Sequence, residues 1–209
     1  MNHLKSVDFL IFDLGNVIID IDYQRSLNYI KSLVSKNLHH QVDSFYLTDF
    51  HKDYEKGKID SGTFRKQVNA YFEQNWTDSE VDHLWNSLLG NIPAPRIDFL
   101  RKLKNHYQIG ILSNTNEIHI EAVNEMLREN FGMDSFHYLA DHVFYSHEMG
   151  LAKPQKEIYQ TMLDRLNTQS EKVIFFDDLE VNVLGARACG IEAIQVTGPE
   201  VIFDYFKHV

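Results

Sequence analysis

The chain has 209 residues, of which 44% are hydrophobic and 24% charged, a composition typical of a globular protein with one core and room for a smaller insert. Its formal net charge of −10 argues against general nucleic-acid or membrane-surface binding. A lone cysteine, Cys189, excludes an internal disulfide framework and favours a reducing compartment. Because the sequence shows neither a signal-peptide pattern nor an apolar run of about 20 residues, we expect a cytoplasmic protein. We also expect a monomer or a weak dimer.

The first predicted element is a short apolar run that ends on a carboxylate. Residues 7–12 read VDFLIF and are followed by Asp13. Such a run is typical of a central strand buried on both faces, and its C-terminal end then faces the ligand crevice. The Gly15-Asn16 turn that follows can direct backbone N–H groups at an anion. We therefore predict Asp13 at the mouth of a site, with Gly15 and Asn16 beside it.

Residues 23–89 give helix signals and no convincing strand. Thr77 and Glu80 form a capping box that opens an amphipathic helix. Because this helical block lies between two predicted strands, the sequence predicts a helical cap over residues 20–92. The core would then comprise residues 1–19 and 93–209.

Beyond Pro95, strands and helices alternate. The apolar runs at 107–112, 142–145, 172–176 and 191–196 predict strands, and amphipathic helices separate them. This alternation is typical of an α/β fold, a doubly wound parallel sheet covered by helices on both faces.

Polar residues end three of the predicted strands. Asp13 follows the first, Ser113 and Asn114 follow the second, and Asp177 and Asp178 follow a third. These ends meet at one edge of a doubly wound sheet. Clustered carboxylates repel one another unless a cation lies among them, and oxygen ligands suit Mg²⁺.

A lysine in a loop, Lys153, supplies the positive charge that such a site needs. It would steady a nucleophile and a phosphoryl group, while Ser113 and the N–H groups after it would bind phosphate oxygens. A carboxylate, a hydroxyl, a lysine and a metal-binding pair are the groups used in phosphoryl transfer through an aspartyl-phosphate.

Four segments, FDLGNV, ILSNTN, AKPQKEIY and FFDDLEVN, resemble the motifs of the haloacid dehalogenase (HAD) superfamily. The run DLGNVIIDID, together with AKP and FFDD, resembles the bacterial α-D-glucose-1-phosphate phosphatases. The resemblance implies a phosphatase with a helical cap, a Mg²⁺ cofactor and a small phosphorylated metabolite as its partner. The residues to which it assigns roles are Asp13 as nucleophile and metal ligand, Gly15 as a carbonyl ligand, Ser113 and Asn114 as phosphoryl-binding residues, Lys153 as the group holding Asp13 and phosphate, Asp177 and Asp178 in or next to the metal shell, and Asn182 as their orienting partner.

One position departs from the commoner pattern of the superfamily. Most of its phosphatases carry an aspartate two residues after the nucleophile as general acid, and Gly15 occupies that position here. General acid catalysis is worth about 10²–10⁴-fold. The sequence therefore predicts a slower enzyme or a substitute, for which Asp20, Asp22 or substrate-bound water are candidates.

Two other functions stay open. A 2-haloacid dehalogenase also lacks the second aspartate, but it needs no metal and does not keep a pair such as Asp177-Asp178. A degenerate domain that binds a phosphometabolite or a protein without turnover is supported by Gly15, whereas the retained Asp13, Lys153 and Asp178 count against it.

Overall fold

The computed structural model describes residues 4–207, apart from the side chain of Lys5, and is built on a parallel five-stranded sheet. Its strands lie in the order β3-β2-β1-β4-β5, so the first strand is central. This confirms the predicted fold class. The strands are β1 (Phe9–Phe12), β2 (Gln108–Ser113), β3 (His142–Tyr145), β4 (Val173–Asp177) and β5 (Glu192–Gln195).

Helices occupy most of the remaining described chain. Those between β1 and β2 are α1 (Tyr23–Leu33), α2 (His39–Ser44), α3 (Asp49–Glu55), α4 (Ser61–Tyr71), α5 (Asp78–Asn86) and α6 (Ala94–Leu103). Those after β2 are α7 (Glu117–Phe131), α8 (Ser146–Met149), α9 (Lys156–Leu166), α10 (Glu180–Ala188) and α11 (Glu200–Tyr205).

The residues of β1 alternate between two hydrophobic clusters on opposite faces of the sheet. Leu10 and Phe12 belong to one cluster and Phe9 and Ile11 to the other, and all four are buried. A strand covered on both faces must be apolar throughout, which is why this run could be recognised from the sequence.

The segment from α1 to α5, here called the helical insertion, forms a separate hydrophobic cluster that also takes in Ile118 of α7. Phe45, Phe64, Phe72 and Trp85 are fully buried in it. The predicted capping box is confirmed: Thr77 is the N-cap of α5 and exchanges hydrogen bonds with Glu80. The division at residues 20 and 92, and the role of the insertion as a cap, stay predictions.

Some element boundaries differ from the predicted ones near the site. The fourth strand extends to Asp177 instead of residue 176, and the next helix begins at Glu180. The cause is local, because the Asp177 carboxylate accepts a hydrogen bond from the Leu179 N–H at 2.9 Å and draws the chain into the helix. Within the described residues, no helix has the length and apolar character needed to span a membrane.

Candidate active site

The carboxyl ends of β1, β2 and β4 open into a cavity of about 330 Å³. Asp13, Ser113, Lys153 and Asp178 line its floor, as expected for the crevice of a doubly wound sheet. The predicted residues at the ends of these strands, together with Lys153 from a loop, therefore lie in one cavity.

Lys153 lies between two carboxylates at the floor of the cavity. Its Nζ is 2.8 Å from Asp13 Oδ1 and 2.6 Å from Asp177 Oδ2. The same ammonium donates to the Leu112 carbonyl oxygen at 2.9 Å. All three donor positions of the ammonium are thus used, and the lysine holds the Asp13 carboxylate at the end of β1.

Burial and charge act in opposite directions on this group of residues. Loss of water raises the pKa of Asp13 to about 6, against the attraction of Lys153. Burial alone would lower the pKa of Lys153, but Asp13 and Asp177 outweigh it and raise that pKa. The lysine is therefore a fixed cation next to a carboxylate that is costly to ionise.

Asp177 is held by protein donors on both oxygens. Asn182 Nδ2 lies 3.0 Å from Oδ1 and 3.1 Å from Oδ2, Lys153 approaches Oδ2 and the Leu179 N–H donates to Oδ1. The side chain is fully buried. Asp177 thus holds Lys153 in position, and Asn182 holds Asp177. Direct contact between Asp177 and a metal ion stays a prediction.

Asp178 is the more open carboxylate. Burial raises its pKa, partly offset by a hydrogen bond from Asn16 Nδ2 to Asp178 Oδ2 at 3.0 Å. Asn16 adopts a left-handed conformation with φ 54°, and its own N–H donates to the Ile19 carbonyl oxygen at 2.6 Å. The expectation that the Asn16 N–H faces an anion is therefore wrong, because the turn itself uses that donor.

Ser113 and Asn114 follow β2, as predicted, but have different surroundings. Ser113 is buried and lines the cavity. The Asn114 side chain donates to the Lys153 carbonyl oxygen and accepts from the Lys153 N–H, both at 2.9 Å. The amide of Asn114 thus fixes the loop that carries the lysine, and its contact with a phosphoryl group stays a prediction.

The residues present fit a divalent cation. One oxygen each from Asp13, Asp177 and Asp178 can be chosen so that all lie within 4.8 Å of one another. Lys153 compensates one of these three negative charges, which leaves an excess suited to a hard cation with oxygen ligands. Within the described chain, Lys153 pairs with Oδ1 of Asp13 and Asp178 is only half-buried, so these two carboxylates are more open to a cation than Asp177.

The two carboxylates considered as substitute acids have other partners. Asp20 Oδ1 pairs with Arg96 at 2.8 Å, and Asp22 is the N-cap of α1, accepting from the Arg25 N–H at 2.8 Å. Neither is among the described residues that line the cavity. A Cβ added at Gly15 would lie 3.7 Å from Asp13 Oδ2, so this position adjoins the Asp13 carboxylate without offering a proton.

The insertion supplies a polar wall that sequence reasoning missed. Tyr23, Tyr46, His51 and Glu55 line the same cavity. His51 Nε2 lies 3.3 Å from Glu55 Oε1. Their i, i+4 spacing on α3 was the available signal, but it could not show that this face of the helix turns toward Asp13.

Comparisons with known proteins agree with this geometry. A haloacid dehalogenase-like hydrolase family model matches residues 7–190. The chain is 25% identical over 188 residues to a D-ribitol-5-phosphate phosphatase of Bacteroides thetaiotaomicron, covering 89% of this chain and 90% of that protein. It is also 25% identical over 193 residues to a sesquiterpene phosphatase of Aspergillus oryzae, covering 90% and 88%.

A solved structure of a HAD family enzyme of Bacteroides thetaiotaomicron, in complex with magnesium and inorganic phosphate, has a TM-score of 0.83 and 29% identity, covering 90% of this chain and 93% of that one. An L-2-haloacid dehalogenase of Xanthobacter autotrophicus, at 14% identity and a TM-score of 0.61 over 91% of this chain and 77% of that one, shares the fold alone. The chain belongs to the haloacid dehalogenase-like hydrolase family.

Proposed function

We propose that this protein is a Mg²⁺-dependent phosphatase that hydrolyses a small phosphorylated sugar or polyol through an aspartyl-phosphate. The observation that carries the proposal is the placement of Asp13, held 2.8 Å from Lys153, beside Asp178 at the floor of the cavity. Relatives named as phosphatases and a similar structure containing magnesium and phosphate support it.

Asp13 is the proposed nucleophile. Its free carboxylate oxygen attacks phosphorus, while Lys153 fixes the other oxygen and balances charge on the transferred group. Ser113 binds a phosphoryl oxygen, and Asp177 and Asn182 hold the lysine in place. Asp13, Asp178 and the Gly15 carbonyl would hold Mg²⁺, which when bound neutralises phosphoryl charge.

The cavity limits the size and charge of the substrate. Its volume of about 330 Å³ is at the small end for ligand pockets. Its described lining combines the polar wall with apolar side chains, among them Ile21 and Leu89. Beyond Lys153, the basic groups of that lining are His51 and His119, and burial lowers the pKa of His119 to about 3. We infer a monophosphate with an uncharged, hydroxylated remainder, such as glucose 1-phosphate or a pentitol 5-phosphate.

A metal-independent dehalogenase is less well supported. Such a reaction gives no role to Asp178, yet this carboxylate stands half-buried beside Asp13 with a raised pKa. A binding domain without turnover would not require the buried pairing of Lys153 with two carboxylates, which is costly to desolvate.

The proposal is tested by phosphate release from glucose 1-phosphate, ribitol 5-phosphate and farnesyl phosphate, with Mg²⁺ and with EDTA. We expect Mg²⁺-dependent turnover of a hydroxylated ester, lost in Asp13→Asn. Preference for farnesyl phosphate would contradict the substrate class. Absence of turnover on every ester, or turnover that survives in Asp13→Asn, would contradict the mechanism.

A further inference from the structure

Among the described residues of the cavity floor, Lys153 and Asp177 have no proton free for a leaving alcohol. Lys153 is engaged with Asp13, Asp177 and the Leu112 carbonyl, and Asp177 is enclosed by donors. An alkoxide is a poor leaving group, so its departure at neutral pH calls for a proton from a nearby acid. The remaining candidates for this acid are the residues of the polar wall.

Two residues of that wall, Tyr46 and Tyr23, and His119 of α7 in the same cavity lining are unsuited to proton transfer. Burial raises the pKa of Tyr46 to about 12, and its hydroxyl lies 2.6 Å from Ser26 Oγ. Partial burial, and then the charge of Glu55, raise the pKa of Tyr23. Burial, with a smaller effect of His51, holds His119 in its neutral form.

The His51 ring lies between two oxygen acceptors. Its Nδ1 lies 2.7 Å from the Tyr46 carbonyl oxygen and must donate to it. Its Nε2 lies 3.3 Å from Glu55 Oε1, an ion-pair distance, and no hydrogen bond within the described chain occupies that nitrogen. Both ring nitrogens thus face acceptors, and the packed rings of Trp85 and Tyr46 fix the plane of the imidazole.

The same helix is tied to the floor of the cavity. Ser146 Oγ lies 2.6 Å from the Glu55 carbonyl oxygen and accepts from the Thr115 N–H at 2.9 Å. Thr115 stands two residues after Ser113. One serine hydroxyl therefore sets the position of the His51–Glu55 pair relative to the loop that would bind phosphate.

We propose that His51, paired with Glu55, is the general acid that protonates the leaving oxygen and the general base that activates water afterwards. The inference rests on the proposed function. As Asp13 forms its bond to phosphorus, the ester P–O bond breaks and the Nε2 proton passes to the leaving oxygen, giving the alcohol and a neutral imidazole. Water then attacks phosphorus, its proton returns to Nε2, and the bond from Asp13 breaks to release phosphate.

The test uses inorganic phosphate, which requires no knowledge of the substrate. With Mg²⁺ present, reversible phosphorylation of Asp13 exchanges ¹⁸O of labelled phosphate with water, and the departing water needs the same acid. We expect His51→Gln to slow exchange by about 100-fold or more and to remove the fall in rate at alkaline pH. Exposed His40 provides the matched control, since His40→Gln is expected to keep both the rate and the pH profile.

A second variant guards against misfolding of the first. Glu55→Gln keeps the size of the side chain but removes the carboxylate that faces Nε2 of His51, so exchange is expected to slow. Exchange at the wild-type rate in either variant, or slowed exchange with an unchanged alkaline fall in His51→Gln, would overturn the proposal. Absence of exchange in the wild type, with no phosphate release from any ester, would instead overturn the proposed function.

Discussion

Lys153 provides the positive charge that pairs with two carboxylates of the site. It compensates Asp13 and Asp177 from a fully buried position, and its ammonium also lies 5.2 Å from the centre of the Phe175 ring. Removal of one partner from a buried ion pair leaves the others uncompensated and is more costly than loss of the whole pair.

Lys153→Met is therefore expected to lower kcat at least about 100-fold and the free energy of unfolding by about 3–5 kcal/mol. Steady-state phosphate release and urea denaturation measure the two effects. The control is Lys156→Met, at an exposed position three residues further on, which is expected to change neither. Activity retained in Lys153→Met would contradict the assigned role.

His119 makes the stability of the protein sensitive to acid. Burial holds its pKa at about 3, against 6.5 for an ordinary histidine, so the unfolded chain binds a proton between these values that the folded chain does not. Stability therefore falls as the pH drops below about 6.5, by up to about 1.4 kcal/mol per pH unit.

His119→Phe keeps a ring against Trp85, on which the imidazole stacks at 4.9 Å, and removes this proton linkage. Urea unfolding between pH 7 and pH 5 is expected to show a flatter decline for the variant than for the wild type. His40→Gln serves as the exposed control, with the wild-type slope. Parallel declines for His119→Phe and the wild type would contradict the assignment.

At the scale of elements, the N-terminus of α5 connects a sequence signal to stability. Thr77 and Glu80 satisfy N–H groups that would otherwise lack partners. We expect Thr77→Ala to cost about 1 kcal/mol in thermal or urea unfolding. Ser79→Ala, at an exposed position on the same helix, should be nearly neutral. Equal effects of the two substitutions would show that the cap is not the cause.

At the scale of the whole molecule, the insertion and the sheet domain meet at a close backbone approach. Gly57 has φ 63°, and a Cβ there would lie 2.1 Å from the His147 carbonyl oxygen. Gly57→Ala must therefore shift the loop after α3, and with it the polar wall of the cavity. We expect both lower stability and lower kcat/KM.

Gly62→Ala is the matched control. Its Cβ would meet its nearest neighbour at an ordinary 3.7 Å, and alanine favours the helix by about 0.5–1 kcal/mol, so stability should be equal or higher. Wild-type activity in Gly57→Ala would contradict the view that this contact positions the wall.

The residues of the cavity floor could be predicted from the sequence, but those of the polar wall could not. Asp13, Lys153 and Asp178 follow apolar strands or lie in a loop between them, and the parallel topology alone brings strand ends together. His51 and Glu55 reach the cavity through the packing of the insertion on the sheet, which depends on contacts distant in the chain. The contact of the Asn114 amide with the Lys153 backbone likewise could not be predicted. In the sequence, an amide residue that follows a strand looks the same whether it binds a loop or a ligand.

The central claim is that Asp13 carries the phosphoryl group, and chemical trapping tests it most directly. The wild type is mixed with Mg²⁺ and the ester it hydrolyses fastest, then quenched with borohydride, which reduces an acyl phosphate to an alcohol. We predict homoserine at position 13 by peptide mass spectrometry only when ester and metal are both present. Turnover that leaves Asp13 unmodified would show direct attack of water on phosphorus and contradict the account.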